Sequence, residues 1–285
     1  MVKGLYTAYT GMINEQRRMD VLTNNLANAD TNGYKKEGLT ARAFKDQLAL
    51  KIKDYTDAPN TARGLGIINP GVKIGESYVD WTEGPMKETQ NTFDFAIAGR
   101  GFFAVDYTNK AINIERDTKE QQDIMYTRDG CFTLKILDPK KPEEGYLTTQ
   151  DGDFVLDNKG KRIKLDTQIP VQTNTTGELI QDGEVVAILG VYDFEATEYP
   201  DGRYSYDNLL HYGENFYIPV DENVEATALE FPTVYPGFLE QSNVSVVDEM
   251  VNMIATQRNY DTNQRMITTI DGTLEIAANQ IGRIG

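Results

Sequence analysis

The chain has 285 residues, of which 28 are Lys or Arg and 44 are Asp or Glu, for a formal charge of −16 at neutral pH. Such a polyanion is ill suited to binding nucleic acid or an anionic membrane surface, since like charges repel at the distances where association begins. A single cysteine, Cys131, excludes an intrachain disulfide, and a single histidine, His211, excludes any catalytic scheme that needs two imidazoles.

The opening stretch MVKGLYTAYTGM lacks the apolar core of a cleavable signal peptide, and no run of eighteen apolar residues occurs, so neither a cleaved leader nor direct membrane insertion is expected. Leu5, Met12, Met19 and Leu26 recur every seven residues, with Ala8 and Leu22 on intermediate rungs, which predicts an amphipathic helix within residues 1–33. It should stop in the cluster Asn28-Ala29-Asp30-Thr31-Asn32-Gly33, where Asn and Asp compete for backbone hydrogen bonds and Gly33 can take positive φ. Residues 34–75 read as an extended connecting arm. Leu48, Leu50, Ile52, Leu65, Ile67 and Ile68 give it apolar side chains, while Pro59, Gly64, Gly66, Pro70 and Gly71 forbid one continuous helix.

All ten prolines lie between Pro59 and Pro236, and the net charge of −17 between the near-neutral ends sits in this same centre. Residues 76–225 are expected to form an all-β domain. Short apolar runs such as Phe93–Ile97, Gly101–Val105 and Val185–Tyr192 alternate with turn pairs such as Asp129-Gly130, Asp151-Gly152, Asp182-Gly183 and Asp201-Gly202. Residues 226–244 read as a return connector. Over 245–285 the period of seven returns at Met253, Tyr260, Ile267, Leu274 and Ile281, opened by a capping-box variant at Ser245–Asp248. This second helix would run roughly 55 Å. Gln257, Gln264 and Asp271 on neighbouring rungs give its seam polar members. The fold class is therefore α+β: a mainly-β central domain inserted between long N- and C-terminal heptad helices that pack together as an α-helical axial core.

Val247, Val251, Ile254 and Ile270 lie away from the five-rung seam, so one partner helix does not cover the C-terminal helix. Packing between subunits does: helices from many copies build a shared core and the acidic domains remain in water.

The residues that could carry chemistry read as structural. Cys131 is a small apolar residue in a strand, with nothing nearby to activate its thiolate. His211, between Leu210 and Tyr212, has no second imidazole to help it. The sequons at Asn174 and Asn243 match a permissive pattern, and Asn243 is better explained as a helix cap. Asp151 and Asp153 resemble a hydrolytic pair only as any two carboxylates in a turn would. Gly99-Arg100-Gly101 fits a loose dinucleotide fingerprint, but it leads into a strand and not a helix. No catalytic residue, cofactor or metal site is expected.

Four segments carry a resemblance. Asn24-Asn25-Leu26-Ala27-Asn28-Ala29-Asp30-Thr31-Asn32-Gly33-Tyr34-Lys35, Phe95–Phe103, Tyr126–Phe132, and Gly237–Ser245 continuing through Met250 to Tyr260 resemble, in order, the signatures of the bacterial flagellar basal-body rod and hook protein family. The length and the insert from Phe44 to Gly75 are most similar to the distal rod protein, with extra length at Asp106–Ile124 and Pro139–Gly145. The resemblance implies a structural subunit, not an enzyme. It implies self-assembly into a helical polymer, the axial driveshaft that transmits torque to the hook, with rod and hook proteins as neighbours. It also implies export from the cytoplasm through the flagellar type III apparatus without a cleaved signal peptide, and residence in the basal body. Its assembly interface would comprise Leu5, Met12, Met19, Leu22, Leu26, Asn28, Met253, Tyr260, Ile267, Leu274 and Ile281. The alternatives are a hook or proximal-rod subunit of the same family and, in a different class, a cell-wall glycan-hydrolysing enzyme.

Overall fold

The computed structural model describes residues 2–51, 63–107, 124–137, 143–198, 204–206, 208–213, 215–220 and 226–281. The chain divides into two compact units, one formed by Met1–Ala27, Glu37–Tyr78 and Ser245–Gly285, the other by Asn28–Lys36 and Val79–Val244. An N-terminal helix, a mainly-β middle and a C-terminal helix make this an α+β chain.

The first unit holds helix α1 (Val2–Ala27) and helix α2 (Val246–Ile281). α1 ends at the head of the Asn28–Gly33 cluster. At the start of α2, the Ser245 hydroxyl accepts the Asp248 N–H at 3.5 Å and the Ser245 carbonyl accepts that of Glu249 at 3.0 Å. Asp248 and Glu249 also place negative charge at the positive end of the helix dipole. Asn243 plays no part in this cap, contrary to the sequence reading, because its side chain is occupied elsewhere.

α1 runs antiparallel to α2. Gly4 faces Ile270, Gly11 faces Asn263, and Asn25 reaches Glu249, so steps of seven and then fourteen residues forward on α1 match equal steps back along α2. Leu5, Met12, Met19 and Leu26 are half-buried and Ala8 and Leu22 buried; on α2, Met253, Tyr260, Ile267 and Leu274 are half-buried. Ile281 ends the helix. Two details of the sequence reading change. Gln257, Gln264 and Asp271 are exposed, and the polar members of the protected face are Glu249, Thr256 and Asn263, where alternating steps of three and four from Met253 land. Ile270 lies on that same face. Val247, Val251 and Ile254 do remain exposed, joined by Met250.

The insert forms a two-stranded ribbon. Strand β1 (Glu37–Ala43) pairs with β4 (Val72–Val79), and β2 (Gln47–Lys51) pairs antiparallel with β3 (Arg63–Ile68) from Gln47↔Ile68 to Lys51↔Arg63. Leu48 and Ile67 face each other across the ladder and are 66% and 74% exposed. Ile52 and Pro59 lie outside the described residues.

The second unit is built around strand β7, once β5 (Met86–Glu88) and β6 (Phe95–Ala98) have been laid down; β7 spans Phe102–Asp106 and β8 Ile124–Thr127. β7 pairs with β8, with Phe154–Val155 and with Val191–Asp193 inside a ten-stranded sheet. All five of its residues are buried, which is why Phe102-Phe103-Ala104-Val105 reads as an unbroken apolar run. Phe103 points into a core with Phe95, Phe132, Leu147 and Leu179; Phe102 points the other way, into an aromatic cluster of Trp81, Tyr206 and Tyr217. Residues 226–244 contribute strands too: Thr233–Pro236 pairs with β6 and Phe238–Glu240 with β5. The extra length inside residues 108–123 and 138–142 lies outside the described residues.

Candidate functional site

The residues read as an assembly interface fall in two places. Leu5, Met12, Met19, Leu22, Leu26, Met253, Tyr260, Ile267, Leu274 and Ile281 belong to the helix pair of the first unit. Asn28 stands apart, at the start of the second unit, where its side-chain oxygen accepts the Thr31 hydroxyl at 3.2 Å and its carbonyl accepts the Thr31 N–H at 3.2 Å. It opens a turn that closes on Thr31.

At the base of the helix pair lies a polar group that apolar periodicity cannot reveal. Asn25 is fully buried; its Nδ2 donates to the Glu37 carbonyl at 2.8 Å and its Oδ1 accepts the Glu37 N–H at 3.0 Å. The side-chain amide thus mimics a strand partner for Glu37, and Nδ2 also reaches the buried Glu249 carboxylate at 3.4 Å.

The second unit holds the tightest polar constellation among the described residues. Lys35, Arg128 and Glu240 side chains are 1%, 4% and 1% exposed. Lys35 Nζ donates to Glu240 Oε1 at 2.5 Å and to the Thr82 carbonyl at 2.8 Å. Arg128 donates to Glu240 Oε2 at 3.2 Å and to the Gly99 carbonyl at 2.7 Å, while the Gly84 N–H adds a bond to Glu240 Oε1 at 3.0 Å. Burial alone would raise the Glu240 carboxyl, but the Arg128 and Lys35 charges outweigh it and hold it below the usual carboxylate range. Burial lowers the Lys35 ammonium, and the Glu240 carboxylate offsets this only in part.

Backbone contacts close the same knot. The Gly33 N–H donates to the Glu240 carbonyl at 2.8 Å; Gly33 sits at φ 68°, and a side chain there would strike the Arg128 backbone at 2.5 Å. At Gly84 a Cβ would lie 1.9 Å from the Gln241 carbonyl oxygen. Two residues beyond Gln241, Asn243 accepts the Lys36 N–H at 2.7 Å and donates to the Asp80 and Thr82 carbonyls at 2.8 and 3.1 Å. The sequence motifs contain Lys35, Arg128 and Glu240 without assigning them a role, and they offer Asn243 only as a helix cap. Their available signal was charge or amide character beside apolar motif residues.

The remaining candidates are structural in place. Cys131 is half-buried, its Sγ accepting Gln150 Nε2 at 3.0 Å, and burial pushes its thiol up. His211 packs on Tyr34 and Tyr217. Asp153 is buried in a turn with Thr149, and Gly99-Arg100-Gly101 leads into β7. Among the described residues no group of three His, Cys, Asp or Glu could hold a metal ion, and no helix is long and apolar enough to cross a membrane.

Asp129, next to Arg128, is the titrating neighbour of this knot. Burial, with Asp94 and Asp151 nearby, pushes its carboxyl up to about 6 although it accepts the Cys131 N–H at 3.0 Å. The folded value lies above the ordinary 3.8, so the native state holds the proton more tightly and stability falls as pH rises from about 4 to 6. Asp129→Asn should therefore stabilise the chain at pH 7, with the gain vanishing below pH 4, as measured by urea unfolding across that range.

Both ends of the chain match models of one family. Residues 5–35 match the model described as flagella basal body rod protein, and residues 235–281 the one described as flagellar basal body rod FlgEFG protein C-terminal. The Lys35–Glu240 ion pair joins these two matched segments. The chain is 30% identical to the flagellar basal-body rod protein FlgG of Bacillus subtilis, over 98% of this chain and 99% of the relative. It is 31% identical to the flagellar basal-body rod protein FlgF of Caulobacter vibrioides, over 100% and 99%. With the flagellar hook-basal body complex protein FlhO of B. subtilis it shares 29%, over the full length of both. The chain belongs to the flagellar basal-body rod protein family, whose members are structural components of the basal body.

Proposed function

We propose that the chain is a distal-rod subunit, which polymerises through its terminal helices into the axial driveshaft that carries torque to the hook. It reaches its site through the flagellar export apparatus and meets other rod and hook proteins there. One observation carries this reading: after α1 has packed on α2, Val247, Met250, Val251 and Ile254 still present an apolar stripe to solvent. A helix that keeps such a stripe in a stable assembly needs a further helix against it. The full-length likeness to FlgG supports the distal position, and the likeness to FlgF and FlhO supports the second reading, another rod or hook position in the same family.

Immunogold labelling of basal bodies isolated from cells carrying an epitope-tagged chain separates them. Label along the rod segment next to the hook is expected; label confined to the hook or to the opposite rod end overturns the distal position. Purified chain should release no fragments from peptidoglycan, and release would return the hydrolase reading. The ribbon adds a mechanical expectation. Deleting residues 54–66 should yield axial structures that bend, because the arm opposes sliding between neighbours; straight rods of normal length would remove that role.

A further inference from the structure

The run Lys159-Gly160-Lys161-Arg162-Ile163-Lys164 places four cations within six residues of a chain whose net charge is −16. In the second unit, Lys161, Arg162 and Lys164 line an open groove of about 600 Å³ with Tyr146, Asp157 and Val186. Two of its charges are already committed. Arg162 is bound to the Asp106 carboxylate at 2.6 Å, and Asp157 accepts the Asn158 and Ile188 N–H groups. Lys161 and Lys164 have no carboxylate within 4 Å among the described residues, and the Lys164 ammonium rests 5.2 Å from the Tyr146 ring centre.

The walls of the groove are sheet edges. Lys164–Asp166 is the last strand in the order of the ten-stranded sheet, and Glu184–Ile188 is the last in a three-stranded one. A register shift opposite Leu179 and Ile180 leaves Val186 without a ladder partner, and Val185 and Val186 are 52% and 47% exposed. Edge strands offer backbone groups to an added strand, while alternate side chains of that strand meet whatever lines the groove.

We propose that this groove takes an extended acidic peptide, whose apolar side chains meet Val186 and Ala187 while its carboxylates pair with Lys161 and Lys164. Charge selects the partner: in a chain of net charge −16, an acidic strand meets here a lining of three cations, Lys161, Arg162 and Lys164, against one carboxylate, Asp157. A flat anion without apolar side chains would leave Val186 wet.

The test is fluorescence anisotropy of the full chain with a fluorescein-labelled hexapeptide of alternating Glu and Val. Saturable binding is expected, weakening as salt is raised. The variant Lys161→Glu/Lys164→Glu should weaken it at least tenfold, Lys87→Glu at an exposed position outside the groove lining should not, and an alternating Lys-Val peptide should not bind. In the unaltered chain, amide exchange at Val185–Ala187 should slow when the acidic peptide is present, a readout independent of how the variant folds. Absence of binding, equal binding by the double variant, or an acidic hexasaccharide that competes with equal strength would each overturn the proposal, the last by making the groove a glycan site.

Discussion

Glu240→Ala should destabilise the β-rich unit by about 3–5 kcal/mol, a large share of the 5–15 kcal/mol that holds a typical domain. The lost carboxylate leaves Lys35 and Arg128 side by side, buried and without their counter-charge, and it strips the Gly84 N–H of its acceptor. Lys35→Met should cost less, because Glu240 keeps Arg128 and the Gly84 N–H. The acid limb of the unfolding profile supplies a second check. The Glu240 carboxyl is held below its ordinary 4.5, so its contribution is present above that pH and drains away as pH falls through the lowered value. The gap between parent and Glu240→Ala should narrow in acid. A gap that is constant with pH would mean that the charges are not what the residue contributes.

Ile254→Asp combined with Val251→Asp should abolish rod assembly and motility while leaving the unfolding midpoint of the purified chain nearly unchanged. Both side chains are more than half exposed, and a charge at a free surface moves stability by about 0.5 kcal/mol or less. In a polymer whose helices cover that stripe, two carboxylates would be buried without partners in every copy. Ile267→Asp gives the contrast. It lies half-buried on the face that α1 covers, so it should loosen the isolated chain itself as well as the assembly. Normal rods from the Val251/Ile254 double variant would mean that the stripe stays in water after assembly.

The period of seven made both helices legible, because a stripe of Leu, Met and Ile at that spacing has few other uses, and Gly-flanked aromatic runs exposed the β-rich centre in the same way. What escaped was pairing over long separations. Lys35 and Glu240 lie 205 positions apart, and no local pattern in either segment announces the other. Asn243 looked like a cap because it stands near a helix start; its four bonds to Lys36, Asp80 and Thr82 depend on where the chain returns. Asn25 was one polar residue in an amphipathic helix, and its role depends on Glu37 folding back beside it. The polar face of α2 differs for a geometric reason: a seven-residue column leaves open whether its companion column lies three or four residues on, and the protected one is at three, through Thr256, Asn263 and Ile270, not at four, through Gln257, Gln264 and Asp271.

The hydrogen bond from Asn243 to the Asp80 carbonyl, at 2.8 Å, sets the first residues of the segment Val79–Val244 against its last. A segment that begins and ends at one point behaves as a cassette. Surface turns within it, such as the one at Asp182-Gly183, can lengthen, shrink or be exchanged wholesale without changing the distance the flanking chain must bridge. Relatives could then diversify their outer surfaces freely, while the helical framework that receives the cassette keeps its own register.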